Sequence, residues 1–560
     1  MMKIKLLTII SLFSATLLKS QVYQGAHTFG TAATDLSQTT AIDAQGNIYV
    51  AGNVGATTTF GTSTLTYRGG NADGFLAKYD PNGNPLWIKP FASGFDDVVT
   101  AITIPTSGDI FLTGYFQGAG SQSFDADPGP NVFTLSQSSA ILSRDCFIIK
   151  LNSNGDFVWA KQVSNPSGGA AQEDSFTIAV GEQGSVYVAG RFIFADFDPG
   201  AGTQTIITPT GGFEGFILKL DANGNYEWVN HLKNAQNAVR SMLIETNGDV
   251  VIVGEFAGTI DVSGATAGAI NLTSSGGNDI FMVKYDMNGN HIWSQKIGGT
   301  AADAVKVIKK AANGNYLIGG TFNGTININP DTGAVLNVAS LGGADGFVLE
   351  ISTGGGYVNN YIVGGPSADE VYDIETSYAG KTIVTGSYSN TVDFDTSANT
   401  AVATSLGSTD SFILSLDTRT LLYDSHLTYG GPGNSKNTSV EYNITLDRLS
   451  FLGGFSSNVD FDPFTPMDIK SSNGFDDVYL MQLMGNVLSN ETVEGTNEIS
   501  LFPNPASNFL NLRAISSINK LNVMDAMGRV ISTVVFTGNS NEHQVDISNL
   551  SSGIYFATIS

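Results

Sequence analysis

One fifteen-residue pattern, written four times, constrains the fold of this chain more than any other feature. It reads DGFLAKYDPNGNPLW at residues 73–87, DCFIIKLNSNGDFVW at 145–159, EGFILKLDANGNYEW at 214–228 and DIFMVKYDMNGNHIW at 279–293, and each copy ends in one of the four tryptophans. Its opening, an acidic residue two positions before an aromatic one, recurs seven times at spacings of 65 to 72 residues. The seven acids are Asp73, Asp145, Glu214, Asp279, Asp345, Asp410 and Asp477. Such a period predicts a repeat architecture.

A second marker, a glycine in a strand-like segment, repeats in step with the acids. The seven glycines are Gly52, Gly114, Gly190, Gly254, Gly320, Gly386 and Gly453. Alternating apolar residues indicate about four strands in each unit, and Asn-Gly pairs supply the positive φ of tight hairpin turns. In the second unit the predicted strands are DVVTAIT, DIFLTGYF, CFIIKLN and FVWAKQV. Four strands at this period predict an all-β fold, a seven-bladed β-propeller in which the large aromatic residues fill the gaps between blades.

The two ends of the repeat region predict how the ring closes. The seventh unit has its third strand, DVYLMQL, but no fourth, whereas the chain near residue 22 begins with what resembles an isolated fourth strand. We therefore expect residues 22–29 to complete the seventh blade beside residues 477–483. Such a pairing leaves no open seam in the ring.

Composition and charge exclude several classes of protein. The net charge is −25, so a basic stripe for nucleic acid is absent and the acidic field would repel phosphate backbones. The acidic balance fits solubility outside the cell or a surface that gathers divalent cations. Cys146 is the single cysteine, which excludes an internal disulfide and is expected to be a buried thiol.

The first twenty residues predict a secretory signal. Lys3 and Lys5 precede an apolar run from Leu6 to Leu18, and Ser20 stands before Gln21. The run is too short to span a bilayer comfortably, and no other segment is long and apolar enough to do so. We expect no transmembrane segment.

The repeats resemble those of bacterial beta-propeller repeat proteins, which carry a G-x-F strand and a D-G-F-x-x-K-x-D-x-x-G-x-x-x-W block. The resemblance covers about residues 22–487 and weakens in the fifth and sixth units, where Asn359 and Asp424 stand in place of tryptophan. It implies a propeller fold and an exported location, but no defined activity.

After the propeller the pattern changes to a polar linker and a second domain. Three blocks, LFPNPASNFLNL (501–512), LNVMDAMGRVI (521–531) and VDISNLSSGIYFATI (545–559), resemble the C-terminal sorting domain of the type IX secretion system. The resemblance implies a small β-sandwich, the type IX secretion machinery as partner, and a secreted protein, extracellular or on the outer-membrane surface. The family usually continues past the last block with a lysine-containing strand, whereas this sequence stops at Ser560, which leaves open either a fragment or a weakened signal. The domain prediction is a signal at 1–20, a propeller at 21–487, a linker at 488–497 and a sorting domain at 498–560.

The repeated acids have a structural and a metal-binding interpretation. The seven acids of the opening pattern are expected to accept backbone N–H bonds at the turn into the third strand, rather than to form a ring of metal ligands. The D-x-N-G-N segments from Asp80, Asp221 and Asp286 resemble the start of a calcium loop. They lack the later bidentate glutamate, which favours hairpin turns.

A further acidic cluster lies between the second and third strands of four units. Carboxylates at i and i+2 on extended chain point the same way, and oxygen ligands so placed suit Ca²⁺, although a solvated turn needs no metal. The sequence leaves both interpretations open, and no other cofactor is indicated. The candidate metal ligands are Asp125, Asp127, Asp196, Asp198, Asp393, Asp395, Asp460 and Asp462.

Motifs for catalysis are scarce. The sequence has no G-x-S-x-G, no H-E-x-x-H and no Cys/His zinc spacing. His27, His231 and His426 fall near equivalent fourth-strand positions on different blades, which keeps them apart. The sequence leaves open a carboxylate pair for glycan hydrolysis.

Positions where the repeat is broken near the axis are the candidates for ligand binding. The first strands of the seven units align on Asp35, Asp97, Glu173, Asn237, Asp303, Asp369 and Asn437. Three positions after these residues stand Gln38, Thr100, Phe176, Arg240, Lys306, Tyr372 and Val440. Arg240, Lys306 and Tyr372 follow one another on blades 4, 5 and 6. Two cations beside an aromatic ring suit an anionic or sugar ligand, and ordinary packing between blades is the alternative.

These observations predict a non-enzymatic binding or adhesion module for a glycan or a protein, displayed outside the cell. The alternatives are an extracellular propeller enzyme acting on polysaccharide, as lyase or hydrolase, and a structural surface module. Nucleic acid is not expected as a partner.

Overall fold

The computed structural model describes residues 6–7, 22–118, 123–137, 142–166, 172–209, 211–330, 334–376, 380–397, 399–464, 467–484, 500–502, 508–513, 520–524, 530–536, 540, 542–550 and 554–559. Contacts divide the chain into two compact units, residues 21–488 and residues 1–20 with 489–560. All regular structure in the described ranges is β-strand, which confirms the all-β prediction. No helix in these ranges could cross a membrane. Most of the predicted signal and all of the predicted linker lie outside the described residues.

The larger unit is a seven-bladed propeller in which each blade has four antiparallel strands. The sheet of blade 4 also continues into the small hairpin of blade 5, because His291–Gly299 pairs with Thr325–Asn327. Blade 1 contains Leu36–Ile42, Ile48–Val54, Asp73–Tyr79 and Pro85–Phe91. Blade 2 contains Asp97–Thr103, Ile110–Gly118, Ser143–Leu151 and Phe157–Val163. Blade 3 contains Asp174–Val180, Val186–Phe192, Glu214–Leu220 and Tyr226–His231. Blades 4 and 5 contain Asn237–Ile244, Val250–Phe256, Asp279–Tyr285 and His291–Gly299; and Ala304–Lys310, Tyr316–Phe322, Asp345–Ile351 and Tyr357–Val363. Blade 6 contains Glu370–Glu375, Lys381–Tyr388, Asp410–Asp417 and Tyr423–Tyr429. Blade 7 contains Ser435–Asn443, Arg448–Phe455, Asp477–Met484 and, from the other end of the unit, Val22–Phe29.

The ring closes as the sequence predicts. Val22–Phe29 pairs antiparallel with Asp477–Met484 and forms the outer strand of blade 7. The first and last strands of the unit therefore share one sheet, and their backbone hydrogen bonds hold the ring together.

Each blade also carries a small hairpin between its second and third strands. The hairpins are Thr58–Phe60 with Ser63–Leu65, Ser123–Asp125 with Thr134–Ser136, Phe194–Asp196 with Thr205–Ile207, Thr259–Asp261 with Asn271–Thr273, Thr325–Asn327 with Asn337–Ala339, Thr391–Asp393 with Val402–Thr404, and Asn458–Asp460 with Ile469–Ser471. Their inward-facing apolar side chains, such as Phe124, Ile260 and Val392, are buried in the core between blades.

The repeated glycine of the second strand lies against a β-bulge in the first strand, and the bulge requires it. In every blade the pairing of the first and second strands skips one residue of the first strand. The skipped residues are Gln38, Thr100, Phe176, Arg240, Lys306, Tyr372 and Thr438. The bulge presses a carbonyl oxygen against the repeated glycine, so that a Cβ at Gly52 would overlap the oxygen of Leu36 and one at Gly320 that of Ala304. Only glycine fits there, and the bulge re-aims the skipped side chain.

The acids of the opening pattern are buried acceptors of hydrogen bonds. Five of them accept the N–H of a residue four or five positions earlier, as the sequence predicts; for example, Ser275 N donates to Asp279 at 2.8 Å and Leu406 N to Asp410 at 2.7 Å. Asp145 instead accepts from Gln162 Nε2 at 2.5 Å, and Glu214 accepts from Asn234 N at 3.0 Å.

Each of these acids lies next to the start of the following blade. We call the residue at the start of each first strand, or directly before it, the junction residue; the seven are Asp35, Asp97, Glu173, Asn237, Asp303, Asp369 and Ser435. The junction N–H donates to the carbonyl before the acid of the preceding blade, as in Asp97 N to Ala72 O at 2.7 Å and Asp369 N to Ala344 O at 2.7 Å. Five of the seven junctions thus bring two buried acids together across the boundary between blades.

The tryptophans lie between neighbouring blades, as predicted. A Cβ added to Gly155, Gly289 or Gly355, in the hairpin turns of blades 2, 4 and 5, would meet the indole of the preceding blade. Trp228 Nε1 donates to Met287 O at 3.2 Å and Trp293 Nε1 to Thr353 O at 3.1 Å. In blade 5, Asn359 Nδ2 makes the corresponding bond to Thr420 O at 2.6 Å, so the amide replaces the indole donor although the large ring is lost.

The smaller unit contains two sheets. One comprises Ser500–Phe502, Phe509–Arg513 and Glu542–Asp546, and the other comprises Lys520–Met524, Val530–Val535 and Ile554–Ile559 with the short Leu6–Leu7 in parallel at its edge. Leu510, Leu512 and Val545 of the first sheet share a buried cluster with Leu521 and Val523 of the second. This is the predicted β-sandwich.

Candidate ligand-binding site at the propeller axis

A cavity of about 680 Å³ opens where the first strands of the seven blades converge. Each first strand contacts the first strands of both neighbouring blades, so the seven strands surround the axis. All seven blades contribute to the wall of the cavity. Its volume lies in the range of pockets that hold small-molecule ligands.

Nearly the whole wall comes from four positions of the repeat. These are the bulge residue, the residue after the junction residue, the residue after the repeated glycine, and the residue before the third-strand acid. The three residues Arg240, Lys306 and Tyr372 that the sequence singles out occupy bulge positions, and all three line the cavity. The structure thus brings them together around one space.

Three arginines form a connected cluster on blades 2 to 4, which we call the arginine cluster: Arg144, Arg191 and Arg240. Arg191 donates from Nε and Nη2 to Asp174 Oδ2 at 3.0 and 2.8 Å, and Arg144 Nη1 lies 3.4 Å from Asp174 Oδ1. The side chain of Asp174 is only 1% exposed, so this carboxylate is committed to its two partners. Arg240 donates from Nε and Nη2 to Glu255 Oε2 at 3.2 and 3.0 Å.

Aromatic rings support the same guanidinium groups. The ring of Phe176 lies 5.5 Å from Arg191 and 4.7 Å from Arg240, so it connects two members of the arginine cluster. Arg144 lies 4.3 Å from the ring of Tyr115. Stacking of this kind fixes the orientation of a planar cation and contributes about 0.5 to 2 kcal/mol per contact.

Two lysines complete the basic wall on blades 5 and 7. Lys306 is exposed, and its Nζ lies 5.7 Å from the centre of the Tyr372 ring. Lys436 follows the junction residue of blade 7 and lines the same cavity. Within the described part of the chain, neither lysine has an acidic partner within 4 Å.

The charge of the cavity wall is opposite to that of the whole protein. Among the described residues, five basic side chains and two acidic ones, Asp174 and Asp476, line the cavity, in a chain of net charge −25. Four of the five cations lie on the arc of blades 2 to 5. The arc of blades 6, 7 and 1 is mainly polar, with Gln38, Asn53 and Thr438, and its one cation, Lys436, is balanced by one acid, Asp476, so we call it the neutral arc.

The sequence alignment missed Arg144, Arg191 and Lys436 and misplaced one residue. These three cations occupy lining positions other than the bulge, and an alignment of those positions across the repeats reveals them. In blade 7 the alignment on Asn437 was wrong, because Ser435 makes the junction bond, to Thr409 O at 2.9 Å. The bulge residue is therefore Thr438, and Val440 is buried in the core.

The candidate calcium ligands close the small hairpins. Asp196 Oδ1 accepts from Asp198 N at 3.1 Å and from Gln204 N at 2.7 Å, while Asp198 accepts from Gly200 N at 2.8 Å. Asp125 and Asp127, Asp393 and Asp395, and Asp460 and Asp462 repeat this pattern. Among the described residues, no group of three or more acids, histidines or cysteines could hold a metal. Calcium at these loops stays a prediction.

The histidines lie in separate blades, as predicted. His27, His231 and His426 belong to the fourth strands of blades 7, 3 and 6. Burial lowers the pKa of His27 and of His426, and His426 stacks on Phe394 with ring centres 4.6 Å apart. These are packed side chains of the outer strands. None of them lines the axial cavity.

Comparison with known families identifies the C-terminal unit. Residues 500–560 match the family described as the secretion system C-terminal sorting domain. The predicted sorting domain is confirmed, and the protein is exported to the cell surface or the extracellular space.

Comparison with individual proteins gives only distant similarities. The chain is 24% identical over 302 residues to an uncharacterized WD repeat-containing protein of Acanthamoeba polyphaga mimivirus, covering 45% of this chain and 21% of that protein. It is 23% identical over 325 residues to the regulatory protein FlaEY of Caulobacter vibrioides, covering 55% and 32%. The chain thus spans less than a third of the length of either relative.

Solved structures similar to this chain include enzymes at very low identity. A quinohemoprotein alcohol dehydrogenase of Pseudomonas putida has 9% identity and a TM-score of 0.39, covering 86% of this chain and 78% of that one. The corresponding enzyme of Comamonas testosteroni has 11% identity and a TM-score of 0.35, covering 91% and 74%. A puromycin hydrolase has 11% identity and a TM-score of 0.33, covering 76% and 59%. These values carry no argument about activity.

Proposed function

We propose that this exported protein is a binding module that holds a glycan or protein ligand in the axial cavity of its propeller. The observation that carries the proposal is the contrast between repeated and variable positions. The glycines and acids that build the blades recur almost unchanged, whereas the four positions that line the cavity differ from blade to blade. A purely structural ring needs no such variation at the positions that line the cavity. A ligand that contacts several blades at once accounts for it.

The proposal includes a non-catalytic role. Glycoside hydrolysis needs two carboxyl groups that are available to the substrate. Of the two acids that line the cavity, Asp174 is already bound by Arg144 and Arg191. The cavity lining that the structure describes contains no histidine. These features support binding over a lyase or hydrolase activity.

The test is a variant that fills the cavity. Gly454 lines it, and a Cβ at this position meets nothing closer than 3.8 Å, so Gly454→Trp is expected to place a large ring in the cavity. Leu86→Trp is the matched control, because Leu86 is 48% exposed on the outer strand of blade 1. The full mature chain is applied to an array of glycans and peptides of bacterial and host surfaces.

The expected result is a set of ligands that wild type and Leu86→Trp bind and Gly454→Trp does not. Thermal melts of the three proteins verify that all are folded. Retention of every ligand by Gly454→Trp would place binding outside the cavity and contradict the proposal. Release of sugar fragments from a bound polysaccharide would establish the enzymatic alternative.

A further inference from the structure

We infer that the ligand of the axial cavity is an acidic oligosaccharide, whose carboxylates are bound on the arc of blades 2 to 5 and whose hydroxyl groups face the neutral arc. The inference rests on the proposed function and names its ligand class. It depends on which charges in the cavity are already neutralised and which are available.

The arginine cluster is held in position before any ligand arrives. Asp174 binds two guanidinium groups, and Phe176 stacks on Arg191 and Arg240. Guanidinium groups fixed in this way bind carboxylates through their planar donor edge, with little ordering left to do on binding. Three guanidiniums share two carboxylates, Asp174 and Glu255, so the cluster keeps a net positive charge.

Unused donors lie on two neighbouring bulges. Arg240 commits Nε and Nη2 to Glu255, and within the described residues its Nη1 has no partner. Lys306, at the same position of the next blade, has an exposed Nζ with no acidic partner in the described structure. Arg240 and Lys306 hold the same bulge position on adjacent blades whose first strands are in contact, and both line the cavity. One carboxylate of the ligand is therefore assigned to these two donors, since guanidinium and ammonium groups both form charge-assisted hydrogen bonds with carboxylates.

The opposite arc suits sugar hydroxyl groups. The bulge positions of blades 7 and 1 carry Thr438 and Gln38, and Asn53 of blade 1 adds an amide. Hydroxyl and amide groups both donate and accept hydrogen bonds, as sugar hydroxyls do. The volume of about 680 Å³ is also larger than a single inorganic anion needs.

Nucleic acid fits the cavity poorly for two reasons. Single strands are bound by basic grooves in which aromatic rings stack on bases. Here cations already stack on the rings of Phe176, Tyr115 and Tyr372. Beyond the cavity, a protein of net charge −25 repels a long polyanion, whereas an oligosaccharide with a few carboxylates stays within the basic arc.

The inference is tested by calorimetric titration of the full mature chain with three probes: a trimer of galacturonic acid, the neutral trimer of galactose, and a single-stranded DNA oligonucleotide. The acidic trimer is expected to bind, more weakly as salt is raised, and the neutral trimer to bind at least about tenfold more weakly because it lacks the charge-assisted hydrogen bonds.

Variants locate the effect. Arg240→Gln and Lys306→Gln are each expected to weaken binding of the acidic trimer by about tenfold. Lys89→Gln is the matched control, because Lys89 also lies over an aromatic ring, 5.3 Å from Trp87, but on the outer strand of blade 1. It is expected to leave the affinity unchanged.

The outcomes separate this inference from the proposed function. Equal binding of the two trimers, or no binding of the acidic one, overturns the acidic ligand class, while the Gly454→Trp comparison still reports whether the cavity binds any ligand. Stronger binding of DNA than of the acidic trimer replaces the glycan by a nucleic acid. Equal losses in Lys89→Gln and Lys306→Gln would show a general charge effect and contradict a defined site.

Discussion

Charged residues have different roles at the blade junctions and at the opening of the axial cavity, which we call the mouth, although both regions are built on the first strands. At the junctions, acids recur at one position and are buried, and five junctions hold two of them. Of these ten acids only Asp279 has a basic side chain within 4 Å among the described residues, Lys296 at 3.7 Å. At the mouth, cations stand at varying positions and face open space.

The two regions therefore differ in the environment of their ionisable side chains. Burial raises the pKa of Asp97 to about 8 and those of Asp303 and Asp369 to about 7, and in each case the neighbouring acid of the preceding blade adds to the rise. At these three junctions one acid therefore has a pKa near neutral or slightly above it, and backbone hydrogen bonds hold the junction together. At the mouth, Asp174 and Glu255 orient the three arginines. The junctions serve the fold, whereas the mouth is where we propose that a ligand binds.

The largest expected effect is a difference in folding stability between substitutions at two adjacent glycines of blade 7. A Cβ at Gly453 would overlap the carbonyl oxygen of Lys436, whereas one at Gly454 meets nothing closer than 3.8 Å. Gly453→Ala should lower the free energy of unfolding by about 3 kcal/mol, because the bulge must shift, and Gly454→Ala by less than about 1 kcal/mol. Denaturant unfolding of both variants is the measurement. Equal losses would mean that the bulge does not require the repeated glycine.

The next effect concerns pH. A carboxyl group whose pKa is raised on folding binds more protons in the folded state, so its contribution to stability is fully present below about pH 4 and is lost as pH rises through the folded pKa. With folded values of about 6 for Asp73 and Asp477, about 7 for Asp145, Asp303 and Asp369 and about 8 for Asp97, the melting temperature should fall between pH 5 and pH 8. Calorimetry across this range is the measurement.

A substitution sharpens that prediction. Asp369→Asn places at the junction of blades 5 and 6 the amide that Asn237 already supplies at the junction of blades 3 and 4. It should raise stability at pH 8 by about 1 kcal/mol, because an uncharged group replaces one that must ionise in the interior, and change it less at pH 5. Asp156→Asn, at an exposed hairpin turn, is the control. A loss of stability at pH 8 in Asp369→Asn would contradict the raised pKa of Asp369.

The smallest effects on stability are expected at the mouth and at the acidic loops. Lys306→Gln should change the free energy of unfolding by less than about 0.5 kcal/mol, since an exposed lysine over a ring contributes little. A larger loss would assign Lys306 to the packing of the blades rather than to a ligand.

Calcium tests the acidic loops in the same assay. Their backbone hydrogen bonds form without a metal, so addition of millimolar Ca²⁺ after EDTA should move the melting temperature by less than about 1 °C. A clear rise that disappears in the Asp196→Asn, Asp198→Asn double variant would instead establish the predicted calcium site.

The sequence by itself determined the strands, the number of blades and the closure of the ring, because the alternation of apolar residues and the turn residues are local signals that recur in every unit. It also located Arg240, Lys306 and Tyr372, since these break the repeat at one aligned position. Only the tertiary structure decided how the mouth is assembled. Arg144, Arg191 and Asp174 lie on three different strands, and both arginines contact the carboxylate of Asp174. The register of blade 7 places Thr438 rather than Val440 on the bulge. Such convergence depends on strand register and on the re-aiming of side chains by bulges, which act between residues far apart in the chain.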